Sequence, residues 1–104
     1  MAVDFRTRRV NFVPTTGSTN TQTNQKVVFD RSIRRAEAAL KSFNLGYTGE
    51  DHHVWRQEIE IRNVRIEAGN AVCFDVDFLI RDSSGNIDDR YNGWVDVLVM
   101  AETA

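Results

Sequence analysis

The sequence predicts an all-β protein, an antiparallel β-sandwich of about six strands. Three observations carry this expectation. Residues 54–62 and 72–80 alternate apolar and polar side chains, the period of a strand. Turn-rich polar stretches separate such runs, with one proline in the chain and no strand–helix–strand spacing of the kind a parallel sheet needs. The run from Trp94 to Met100 is almost wholly apolar, so it needs cover on both faces, in the middle of a sheet or against another subunit.

Taken in order, Phe5 to Val13 reads as a short strand, with Val10 and Phe12 alternating with polar neighbours, and Pro14 is expected to end it. Residues 14–25 hold only polar or turn-forming types, so no apolar face can be drawn and a long loop is expected. Lys26 to Asp30 is a compact strand. Ile33, Ala36, Leu40 and Phe43 then fall at helical spacing, while Ala36, Ala38 and Leu40 also alternate as a strand would. Alanine favours the helix, but periodicity leaves both readings open here. Gly46, Gly49 and the charged residues 50–53 mark a turn. Trp55, Gln57, Ile59 and Ile61 take one face of the next strand, and Arg56, Glu58, Glu60 and Arg62 the other. Ala68-Gly69-Asn70 is a tight connection, which makes this strand and Val72–Ile80 an antiparallel hairpin. Cys73 and Leu79, on the mixed face of the second strand, are expected to be covered. Residues 81–90 form another polar loop. If the Trp94 ring is fully buried, Trp94→Ala costs ~3–5 kcal/mol.

At 104 residues the chain makes one domain, spanning residues 1–104. Its 41% hydrophobic and 27% charged residues exclude wholesale disorder. A formal net charge of -2 lacks the bulk positive field that drives nucleic-acid binding, and Arg8-Arg9 and Arg34-Arg35 read as solvated edges. No run reaches the ~18 apolar residues of a membrane span. Charges at Asp4 and Arg6 stand where a secretory leader needs its apolar segment, so a cytoplasmic or non-classically exported protein is expected. The single cysteine, Cys73, excludes an intrachain disulfide and reads as a small buried hydrophobe.

Candidate chemistry is sparse. His52-His53 invites a metal, but adjacent residues of an extended chain point to opposite sides. In the stretch Asp82 to Asp89 the glycine comes too early for a calcium loop and no acidic residue closes it. No nucleophile–base pair stands out, so an enzyme is not expected, nor is a cofactor or metal. What remains is a binding surface. Arg56, Tyr91 and the two polar loops offer forked donors, amide groups and a ring, the chemistry that sugar hydroxyls and the apolar side of a pyranose require.

From Val27 to its end the chain resembles the H-type lectin domain family. The resemblance rests on Val27-Val28-Phe29, the aliphatic segment Ala36 to Leu45, the Trp55-Arg56 strand, the Gly69-Asn70 turn before Val72-Cys73-Phe74, and the closing segment Tyr91 to Val99. It implies an antiparallel β-sandwich in which residues 36–47 are a strand. It also implies a homotrimer or higher homo-oligomer, with galactose or N-acetylgalactosamine held at subunit boundaries, as in sugar-dependent cell adhesion. By position, Gly17 and Asn20 look like the family's N-terminal sugar loop, Arg56 like the arginine supplied by the neighbouring chain, and Tyr91 like the aromatic beside the sugar. The family's loop aspartate is replaced here by Ser18, Thr19 and Asn20, and its Trp-His pair has no counterpart in residues 82–90. The alternative is a structural oligomerisation or protein-interaction module without sugar binding.

Overall fold

A computed structural model describes residues 2–15, 20–47, 54–82 and 91–104, with backbone alone for residues 13–15, 45, 47, 54–56, 80–82, 91 and 92. The strands are β1 (Ala2–Thr15), β2 (Asn20–Val28), β3 (Ile33–Tyr47), β4 (Val54–Glu67), β5 (Ala71–Asp82) and β6 (Tyr91–Thr103). They form two three-stranded antiparallel sheets, ordered β1-β6-β3 and β2-β5-β4. The sheets pack face to face as a six-stranded β-sandwich, as the sequence predicts. A 14-residue strand at ~3.4 Å per residue is about 48 Å long, and the molecule measures 50 × 19 × 17 Å. The sandwich is thus one strand long and two layers thick.

The two central strands supply the core. Val95, Val97, Val99 and Ala101 of β6 and Val72, Phe74, Val76 and Phe78 of β5 are all buried. Phe12 of β1 stacks on Phe78 across the layers, with ring centroids 3.9 Å apart and planes 8° from parallel. From the outer strands Val27, Ala36, Ala38, Ile59, Ile61 and Val64 pack against this cluster. The alternation read for β4 holds in the register, since Gln57, Ile59 and Ile61 stand opposite Ile80, Phe78 and Val76. Cys73 and Leu79, on the outer face of β5, are covered as expected.

Three expectations require correction. Pro14 does not end the first strand; β1 runs to Thr15, and the pairing with β6 shifts register between Phe12 and Thr15. An edge strand tolerates proline at an irregularity because no ladder donor is lost there. Residues 20–25 are not loop but the first part of β2. Threonine suits a strand, and one extra residue between Gln22 and Gln25, where Thr23 and Asn24 face the single Asp75, breaks the period that would have revealed it. Lastly, Trp94 is half-buried outside the core: it lies opposite Asn11 and Asn44, and Arg9 stacks its guanidinium 3.8 Å from the ring centroid.

Residues 33–47 are a strand, with no helix there. Pairing with β6 along the whole segment outweighs alanine's helical preference. Register shifts between Ile33 and Arg35, and between Leu40 and Ser42, stretch the spacing of core-facing residues to three at those points. That is how Ile33, Ala36, Leu40 and Phe43 mimic a helical face.

Candidate functional site

The topology sets the two longest connections, 48–53 and 83–90, at one end. β1, β3 and β5 run one way and β2, β4 and β6 the other, as the antiparallel pairings within each sheet and the Ile33 N–H to Gly69 O bond between the sheets require. Thr15, Asn20, Tyr47, Val54, Asp82 and Tyr91 therefore all lie at one end of the sandwich. At the other end the short links close, through Phe29 N–H to Asn70 O, Ile33 N–H to Gly69 O, and Ala104 N–H to Ser32 O. The turn there carries left-handed backbone at Ala68 (φ 53°) and Gly69 (φ 80°), as a tight hairpin requires.

All the strands bearing the sequence-predicted site residues have those residues at the first end. Asn20 opens β2 opposite Phe78, and its Oδ1 accepts a hydrogen bond from Gln22 Nε2 at 3.1 Å. Arg56 lies on β4, paired with Arg81. Tyr91 opens β6 between Thr15 and Tyr47. Gly17 lies outside the described residues, as do His52-His53 and residues 83–90 of the calcium-like stretch. Asn20 and Arg56 sit on opposite edge strands of one sheet with β5 between them. Two inter-strand spacings across and about three residues along put their backbones roughly 14 Å apart. One copy of the chain does not bring them together.

Below Arg56, along β4 and β5, lies an open groove of about 510 Å3 lined by Gln57, Glu58, Ile59, Glu60, Asp77 and Phe78. Asp77 accepts from Arg62 Nε at 2.8 Å and from Thr21 Oγ1 at 2.7 Å. The Arg62 hydrogen bond holds the Asp77 carboxyl below the usual carboxylate range, helped by the Thr21 hydroxyl. Asp75 is held low as well, first by the Asn24 backbone N–H and then by the Asn63 amide. Arg62, which the sequence places on one face of its strand with Arg56, Glu58 and Glu60, is thus engaged within the chain. Of the arginine pairs, Arg9 forks onto Asp96 at 2.8 and 3.1 Å, Arg35 reaches Glu102 at 3.0 Å, and Arg8 bonds Gln25. Sequence reasoning missed the Thr21–Asp77–Arg62 cluster, because only cross-strand register reveals those neighbours. The Cys73 thiol is pushed up by burial and by its hydrogen bond to Glu67, so it stays protonated. Among the described residues no group of three His, Cys, Asp or Glu side chains is placed to hold a metal.

Among the described residues, this end and the groove beside it present carboxylates, amides and hydroxyls on the two-layer scaffold. Searches of protein-family models, curated proteins and solved structures each find no match for this chain.

Proposed function

We propose that the protein is a carbohydrate-binding module of the H-type lectin kind, taking galactose or N-acetylgalactosamine, and acting as a trimer with sites at the subunit boundaries. One observation above all supports the reading. The strand ends that carry Asn20, Arg56 and Tyr91 gather at one end of the sandwich, with Asn20 and Arg56 on the two edge strands of one sheet and their backbones roughly 14 Å apart. A site completed by a neighbouring copy resolves that separation. Arg56 donates its fork to sugar hydroxyls, Tyr91 offers its ring to the apolar side of the pyranose, and Gly17 and Asn20 close the loop side. Repetition around the trimer strengthens binding that is weak at each site.

A glycan array followed by calorimetry with galactose and N-acetylgalactosamine tests this. Arg56→Ala is expected to abolish binding without changing oligomer size. Loss of the oligomer in that variant favours the second reading, an assembly module without a sugar, which the exposed Val3 and Phe5 also favour. An intact oligomer that binds no saccharide removes the lectin reading.

A further inference from the structure

Register sets several charged residues directly opposite one another. Arg9 stands opposite Asp96, Arg35 opposite Glu102 and Arg62 opposite Asp75. Each of these arginines forms an ion pair with the carboxylate it faces, at 2.8, 3.0 and 3.9 Å. Among the described register pairs, two rungs between β4 and β5 oppose like charges instead: Glu60 stands opposite Asp77, and Arg56 opposite Arg81. Like charges set directly opposite are unfavourable. The acidic rung is relieved within the chain, since Asp77 accepts from Arg62 Nε at 2.8 Å and from Thr21 Oγ1 at 2.7 Å. The arginine rung lies at the end of the sandwich where the strand ends of the candidate site gather.

Strand alternation puts this rung on the outer face of the β2-β5-β4 sheet, in line with Glu58 and Leu79 and then with Glu60 and Asp77. Glu58 is one rung along, about 7 Å away. Among the described residues of this face it supplies one carboxylate for two guanidinium groups, so a positive charge is left over at the rung. Asp82 stands opposite Val54, and alternation puts it on the other face. The positive spot is also narrow, because the face turns acidic at Glu60 and Asp77. It suits a single anionic group, whereas an extended polyanion such as nucleic acid would meet those carboxylates. Arginine at both positions fits an oxyanion, which accepts two parallel hydrogen bonds from one fork.

We propose that Arg56 and Arg81 together hold the anionic group of an acidic saccharide, a sulfate ester or a uronate carboxylate on a galactose-type ring. This rests on the sugar-binding reading and narrows it. Arg81 is a specificity-determining residue drawn from the same copy as Arg56, and the preferred ligand carries a negative charge. The open groove that begins below Arg56 takes the rest of the ring, with Gln57 and Glu60 in its lining to meet the hydroxyls.

Calorimetry with galactose, a galactose sulfate ester and galacturonate, on wild type and Arg81→Gln at low and high salt, is the test. At low salt the wild type is expected to bind one or both charged sugars about tenfold tighter than galactose. That advantage is expected to shrink as salt screens the rung. The stronger of the two charged sugars tells sulfate from carboxylate. Arg81→Gln is expected to abolish the advantage and to leave any galactose binding unchanged. Binding of a charged sugar with none detectable to galactose also supports the inference. Charged sugars that bind no tighter than galactose overturn it and leave the sugar-binding reading standing. A preference that survives in Arg81→Gln overturns it too, by placing the anion elsewhere. If Arg81→Gln does not fold, the wild type decides by salt: a preference that high salt leaves untouched overturns the arginine rung. No binding to any of the three sugars removes both readings.

Discussion

Asp75 holds two irregularities at once. On β2, Thr23 and Asn24 together stand opposite it, one residue more than the ladder needs, and on β4 the pairing slips between Arg62 and Arg65. Asn24 and Asn63 both adopt left-handed backbone, with φ of 58° and 59°, a conformation asparagine tolerates better than most residues. Asp75 Oδ1 accepts the Asn24 N–H at 2.9 Å and its Oδ2 accepts Asn63 Nδ2 at 3.2 Å. Arg65 also bonds the Asn24 side chain, which ties the two bulges across β5. With Asp75 only 7% exposed, removing its carboxylate leaves those donors without their acceptor. Asp75→Ala is expected to lower stability by about 1–3 kcal/mol. A urea midpoint equal to that of wild type would show that the bulges stand without it. In the sequence Asp75 is one polar residue on the mixed face of a strand, and nothing in its neighbours reveals this duty.

At the level of elements, legibility followed regularity. β5 and β6 were readable because their alternation or apolar run is unbroken, and most of β4 because its bulge falls late, after Arg62. β2, β3 and the end of β1 were harder for one shared physical reason. Each carries a register shift, and an inserted residue moves the following side chains to the opposite face. In β3 the two shifts convert a period of two into helical spacing, and in β2 the shift hides a strand inside a polar run. The two layers themselves are joined at Phe12 and Phe78, one ring from each sheet. Phe78→Ala is expected to cost about 3–5 kcal/mol, through lost burial, the cavity left behind and the lost stack. Thermal or chemical denaturation measures it, and a loss under 1 kcal/mol would mean that the sheets are held elsewhere.

For the molecule as a whole, carboxylates set the response to acid. Asp75, Asp77, Asp96 and Glu67 all have their folded values lowered, by hydrogen bonds from Asn24, Arg62, Arg9 and Cys73 respectively. Groups lowered in the folded state add stability that is complete above their unfolded values, about 3.9 for Asp and 4.3 for Glu, and is lost as pH falls through the folded ones. The melting temperature is therefore expected to fall below about pH 4, and to fall less steeply in Asp75→Asn. Equal slopes for the two proteins would show that Asp75 takes no part. The candidate site was legible only as residue types, Arg56 and Tyr91 among polar loops. Its gathering at one end is a property of strand direction, and its division between edge strands is a property of sheet order, neither of which local pattern encodes.

The closed end of the sandwich also holds both chain ends, since Ala2 pairs with Thr103 beside the short turns. A biosensor surface coupled through either terminus would grip the molecule by this base, about 50 Å from the opposite rim. Immobilised probes would then present that rim to the flowing analyte unobstructed.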